Sequence, residues 1–189
     1  VRRGDLIVIA GPSGVGKGSV VHALLSRDPE GLVRSVSATT RPPRHGETDG
    51  EDYRFLDDAA FDRMIGEGAL LEWAEVFHGK RYGTPSEPVA RARDAGRDVV
   101  LEIDVQGAAQ IRDRAPDAVL ILLEPPSLAD LEARLRGRGT EDEASLRERL
   151  DAAERELAQA SWFDHVVVND DLERAVDEVA AIIERSRTL

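Results

Sequence analysis

The sequence predicts an α/β domain built on a parallel sheet, and three observations carry that reading. Short, apolar, largely β-branched runs recur at residues 6–10, 99–103 and 118–123, with a shorter one at 166–168. Runs of this kind suit strands buried on both faces. Segments with helical spacing of apolar residues lie between or after them, as right-handed crossovers between parallel strands require. The length, 189 residues, is that of one compact domain with room for inserted lobes and a core that needs no staples.

The elements follow in order. Residues 6–10 (LIVIA) are bounded by Gly11-Pro12, and residues 19–25 run helical from Ser19 until Asp28-Pro29 stops them. Residues 37–92 break the rhythm with Pro42, Pro43, Gly46, Gly50, Gly79, Gly83, Pro85 and Pro88; strand candidates occur only at 53–56 and 70–77. This stretch reads as a small inserted lobe. The pattern then resumes: strand 99–103, helix 106–114, strand 118–123, helix 127–136, an irregular patch at 136–143 (RGRGTEDE), helix 142–160, strand 166–168 and helix 172–187. The closing helix carries one core-facing stripe, Leu172, Val176, Val179, Ala180, Ile182 and Ile183.

Composition excludes several classes. With 41% hydrophobic and 33% charged residues the chain is not of the disordered type. Cysteine is absent, so disulfides, iron–sulfur clusters, Cys-ligated zinc and Cys nucleophiles are excluded. His22, His45, His78 and His165 show no metal-ligand spacing. No run has transmembrane length, and the two N-terminal arginines precede no signal-type apolar stretch, so a cytoplasmic protein is expected. A net charge of −12 repels nucleic-acid backbones. Lys17 and Lys80 are the only lysines among 25 basic residues, so a lysine at position 17 stands out.

Gly11, Pro12, Ser13, Gly14, Val15, Gly16, Lys17, Gly18 and Ser19 sit between a strand and a helix with the spacing Gly-x-x-x-x-Gly-Lys. Such a loop must curl around a phosphate with its N–H groups inward, which favours glycine, and the helix N-terminus adds partial positive charge. Lys17 supplies a mobile cation for the β- and γ-phosphates. The hydroxyl usual directly after the lysine is replaced by Gly18. Ser19, one place later, is the candidate for the Mg²⁺ side, directly or through water.

The inserted lobe carries a second constellation. Arg41 and Arg44, three apart on a proline-stiffened segment, can grip another phosphate by bidentate contacts, with hydroxyls at Ser37 and Tyr53 nearby. Glu72 lies in the mostly apolar LLEWAEVF, with Tyr82 and Thr84 following. A carboxylate beside apolar residues needs a hydrogen-bond donor, and guanine offers N1–H and its N2 amine side by side. Glu102 and Asp104 end the 99–103 strand, where an acid can reach a metal's water shell or simply cap the next helix.

These motifs, namely the phosphate loop, SATTRPPR with GEDY, LLEWAEVFHGKRYGT, LEIDVQGA, RGRGTEDE and VVVNDDL, resemble the guanylate kinase family over nearly the whole chain. The resemblance implies a P-loop NTPase-type core at 1–36, 93–133 and 151–189, a mixed α/β GMP-binding lobe at 37–92 and a small helical lid at 134–150. It implies that Arg41, Arg44, Tyr53 and Tyr82 hold the GMP phosphate and that Ser37, Glu72, Thr84 and Asp104 face guanine, with Glu102 also on the GMP side of the site and nearer the metal, through water. Arg134, Arg138 and Arg149 would approach the transferring phosphoryl group, and Asn169-Asp170 resembles the family's adenine-side loop. The expected reaction is ATP + GMP to ADP + GDP with Mg²⁺, on small-molecule partners, with neither nucleic acid nor membrane; oligomeric state is left open. A non-catalytic protein-binding module of the same fold usually lacks the loop lysine, and a kinase for another acceptor would have little use for Glu72.

Overall fold

The structure is a computed structural model that describes residues 2–76, 79–137 and 142–188. A five-stranded sheet has the order β2-β7-β1-β8-β9, formed by Leu32–Arg34, Asp98–Glu102, Leu6–Ala10, Val119–Glu124 and His165–Val168. Every pairing in it is parallel. The helices are α1 (Lys17–Arg27), α2 (Asp58–Gly66), α3 (Ser86–Asp94), α4 (Val105–Arg114), α5 (Leu128–Gly137), α6 (Glu143–Leu157) and α7 (Leu172–Ser186).

The strand period of two divides the core. Ile7 and Ile9 of β1 face one side, where Val20, Val21 and Leu24 of α1 meet Val176, Val179 and Ile183 of α7. Leu6, Val8 and Ala10 face the other, against Val89 of α3 and Val105, Ala108 and Ile111 of α4. All five residues of β1 are buried, as a central strand covered on both faces must be. α3, which the sequence reading grouped with the lobe, thus packs on the first sheet.

A second sheet of four strands, β4-β3-β6-β5, uses Arg54–Phe55, Ala38–Thr39, Lys80–Pro85 and Leu70–Val76. β3 pairs in parallel with β4 and antiparallel with β6, which pairs antiparallel with β5. The register is irregular between Leu70 and Glu72. That offset turns Leu70 toward Phe61 of α2 and sends Glu72 to the opposite face. β5 is fastened to α4: the Gln110 side chain donates to Trp73 O and accepts from Trp73 N, and Arg114 donates to the carbonyls of Leu70 and Leu71.

The sequence missed α2, α3, β2, β3 and β6. Asp57 caps α2 by accepting from the Ala60 N–H, and α3 tolerates Pro88 because a proline in the first turn forfeits no intrahelical bond. Among the described residues no helix is long and apolar enough to cross a membrane.

Candidate active site

A cavity of about 530 Å³ lies between the two sheets, at the carboxyl ends of β1 and β7. The loop after β1 forms one end. Gly16, with φ 102°, is the left-handed N-cap of α1, and a Cβ there would lie 2.5 Å from Asn169 Nδ2. No side chain caps α1, which leaves its first N–H groups to an anionic ligand. Lys17 Nζ donates to the carbonyls of Gly11 (2.5 Å) and Pro12 (3.2 Å), lying across the loop. Gly11, Ser13 and Lys17 line the cavity.

The loop is braced from behind. Asn169, buried after β9, donates through Nδ2 to Val15 O, and Arg134 donates to Val15 O and to Asn169 O. Arg134 therefore buttresses the loop and does not line the cavity. Arg149 of α6 does line it and donates to Ser13 Oγ at 2.9 Å. Arg138 lies outside the described residues.

The opposite wall is one face of the second sheet. Glu72, Ala74 and Val76 alternate along β5, and Lys80 and Tyr82 along β6. Thr84 stands directly across from Glu72, and its hydroxyl donates to Glu72 Oε1 at 2.7 Å. Glu72 is 3% exposed, and burial pushes its carboxyl from the usual 4.5 up to about 7. The Thr84 hydroxyl works against this rise and the Asp104 carboxylate adds to it. Gly107 of α4 makes the room, since a Cβ there would lie 2.6 Å from Glu72 Oε2. Thr84 itself is fully buried and reaches the cavity only through Glu72.

Arg41 sits at the near corner. Its Nε donates to Tyr82 OH at 3.1 Å, and its guanidinium lies 5.2 Å from the Tyr53 ring centroid, which itself meets Tyr82 edge-on. Ser37, Arg44, Tyr53 and Tyr82 line the same cavity. Asp104 Oδ1 caps α4 by accepting from the Gly107 N–H, one of the two roles weighed from sequence, and Asp104 also borders the cavity. Glu102 faces the start of α1, where a Cβ on Gly18 would lie 3.4 Å from its Oε1. Ser19 is exposed on the first turn of α1 and does not line the cavity.

Three cavity or loop groups escaped the sequence reading: Lys80, Glu156 and the brace through Asn169. Glu156 had a signal, since it stands seven residues after Arg149 and so shares its helix face. Burial raises its carboxyl, and its Oε2 has no hydrogen-bond partner among the described residues.

The glycine-rich Lys17 loop opposite Arg41, Arg44, Tyr53 and Tyr82, on a parallel sheet flanked by helices, is the arrangement of a P-loop NTPase-type α/β fold. The Guanylate kinase family model matches residues 3–186. Guanylate kinases of Thermobifida fusca and Leifsonia xyli subsp. xyli are each 53% identical to the chain, over 94% and 96% of it and 90% and 71% of their own lengths. A crystal structure of guanylate kinase from Anaplasma phagocytophilum superposes with a TM-score of 0.80 at 34% identity, covering 97% of this chain and 86% of that one. A gluconokinase from Sinorhizobium meliloti, 19% identical with a TM-score of 0.52, shares the fold. The chain belongs to the guanylate kinase family.

Proposed function

We infer that the protein transfers the γ-phosphoryl group of ATP to the phosphate of GMP, giving ADP and GDP. One observation carries this reading: a single cavity has the Lys17 loop at one end and the buried Glu72–Thr84 pair at the other. A buried carboxylate needs donors, and the guanine edge supplies two.

In this reading Gly11–Ser19 cradle the ATP phosphates on the N–H groups of the loop, and Lys17 leaves its two carbonyls for phosphate oxygens. Arg149 adds charge from the lid side. Arg134 serves ATP at one remove, by holding Val15 and Asn169. Arg41, Arg44, Tyr53 and Tyr82 place the acceptor phosphate, while Ser37 and Glu72 read the base and Thr84 acts through Glu72. The acceptor oxygen is already ionised, so positioning and charge neutralisation suffice and no general base is required.

The site suits Mg²⁺ brought by the nucleotide. Among the described residues no group of three or more His, Cys, Asp or Glu forms a metal cage. Glu102 offers a hard carboxylate beside the start of α1, which fits an ion held mainly by phosphates and water. Glu102 would hold it through water, and Asp104 stays with the base; Ser19, exposed and outside the cavity lining, would reach the ion only through further water. When bound, the ion screens charge on the β- and γ-phosphates.

The part of the 37–92 lobe that precedes α3 and the lid at 134–150 would close over both nucleotides, because an open site would hydrolyse ATP. The reading places the enzyme with its small-molecule substrates in the cytoplasm. The test is a steady-state assay with ATP, Mg²⁺ and GMP, AMP, CMP, UMP or dTMP in turn. Strong preference for GMP is expected; turnover of another monophosphate at equal kcat/KM overturns the base assignment.

A further inference from the structure

The clamp that this reading gives to the acceptor phosphate is itself held by a residue to which no role was assigned. Glu47 faces the Arg41 guanidinium in a two-point contact, Oε1 with Nη2 at 2.8 Å and Oε2 with Nη1 at 2.9 Å. Oε2 also accepts the backbone N–H of Arg44 at 2.7 Å. One carboxylate thus fixes the side chain of the first arginine and the backbone of the second. The pair is largely withdrawn from solvent, with side chains 11% and 19% exposed. The Arg41 guanidinium beside it holds the Glu47 carboxyl below the usual range.

The remaining Arg41 donors show what this achieves. Nη1 also donates to Pro42 O, and Nε donates to the Tyr82 hydroxyl oxygen. A hydroxyl that accepts from Arg41 keeps its own proton for another acceptor, and Tyr82 lines the cavity. The chain of contacts runs from Glu47 through Arg41 to Tyr82 and ends at the cavity. Without Glu47, Arg41 is a long side chain on an exposed, glycine-containing loop, and it would regain rotamers that phosphate binding must then remove.

We propose that Glu47 is a positioning residue that sets the Arg41–Tyr82 clamp for the acceptor phosphate. This rests on the assignment of Arg41 to that phosphate. Two effects of Glu47 oppose each other. Its charge repels a phosphate, while its two-point contact orders the group that binds one. The near-buried, bidentate geometry makes ordering the larger effect.

The test is equilibrium titration of the full-length protein with GMP and with guanosine, which lacks the phosphate, for wild type, Glu47→Gln, Arg41→Ala and the double variant. Steady-state KM for GMP and ATP is measured alongside. Glu47→Gln is expected to weaken GMP binding by about tenfold and to raise the KM for GMP in proportion. Guanosine binding and the KM for ATP stay unchanged. In the Arg41→Ala background the same substitution adds nothing, because a positioning residue acts through its partner. Unchanged or tighter GMP binding overturns the proposal. So does an equal loss for guanosine, which would mean a disturbed lobe. If Arg41→Ala leaves the ratio of GMP to guanosine affinity intact, the assignment of Arg41 to phosphate has failed first, and the role of Glu47 falls with it.

Discussion

Replacing Glu72 by Gln separates the stability of this protein from its specificity. Glu72 is 3% exposed and its carboxyl is raised from 4.5 to about 7. A shift of that size favours the protonated form in the folded chain by about 3 kcal/mol. The folded state therefore binds the proton more tightly than the unfolded state. The contribution is fully present below pH 4.5 and is lost as pH rises to about 7. Above pH 7 the wild type carries a buried charge that Gln lacks. Glu72→Gln is expected to match wild type near pH 4.5 and to exceed it at pH 8 by up to about 3 kcal/mol. For a chain of this length that is a rise in Tm on the order of 10 °C. The Thr84 hydroxyl keeps its acceptor, since the amide oxygen replaces Oε1.

Catalysis moves the other way. An amide presents one acceptor where the carboxylate presents two, and it lacks the charge. Hydrogen bonds to charged groups contribute about 1.5–3 kcal/mol, so kcat/KM for GMP falls by roughly 10- to 100-fold. The margin over AMP shrinks, because the amide can turn an N–H toward adenine N1. In wild type, GMP binding also weakens as pH falls below about 7 and Glu72 protonates. The Gln variant loses that component and keeps the one from the GMP phosphate, which ionises near pH 6. Thermal melts from pH 4.5 to 8, with GMP and AMP kinetics on both proteins, supply the measurements. A stability difference that does not grow with pH refutes the burial argument; an intact GMP-to-AMP ratio refutes the base-reading role.

Three further outcomes are expected. Lys17→Ala should lower kcat by about 10² or more in a folded protein, read by single-turnover kinetics; turnover within a few-fold of wild type removes Lys17 from the phosphate site. Arg149→Ala should also lower kcat by about 10² with little change in the KM for GMP, because it acts from α6 beside Ser13. Arg187→Ala should cost about 1–2 kcal/mol in urea unfolding without altering either KM, because Arg2 and the Asp5 N–H still hold Asp98. Arg187 pairs with Asp98, 1% exposed, and with Asp28, far from the cavity. The Asp98 carboxyl is held below its usual value, so in wild type this stabilisation is present at neutral pH and fades on acidification through that lowered value.

Much of the architecture is legible in the chain because it is local. LIVIA dictates a doubly buried strand, Gly16 and Lys17 dictate the turn into α1, and each later apolar run with its helix repeats the pattern. The second sheet was read only in part. β3 and β4 have two residues each, too few to show a period, and their pairing is set by partners far along the chain.

The residue types of the site and their order can be read along the chain: the loop lysine, the two arginines three apart, the acid among apolar neighbours. The partners of several of them follow from contacts made on folding. Arg134 turns to Val15 and Asn169, and Asp104 divides its role between cap and cavity wall. Glu72 is raised because α4, some 35 residues on, covers it with Gly107 at the point of contact. The reason is physical. Backbone conformation follows from neighbours in sequence, whereas desolvation and the partner of a long side chain depend on groups that become neighbours only on folding.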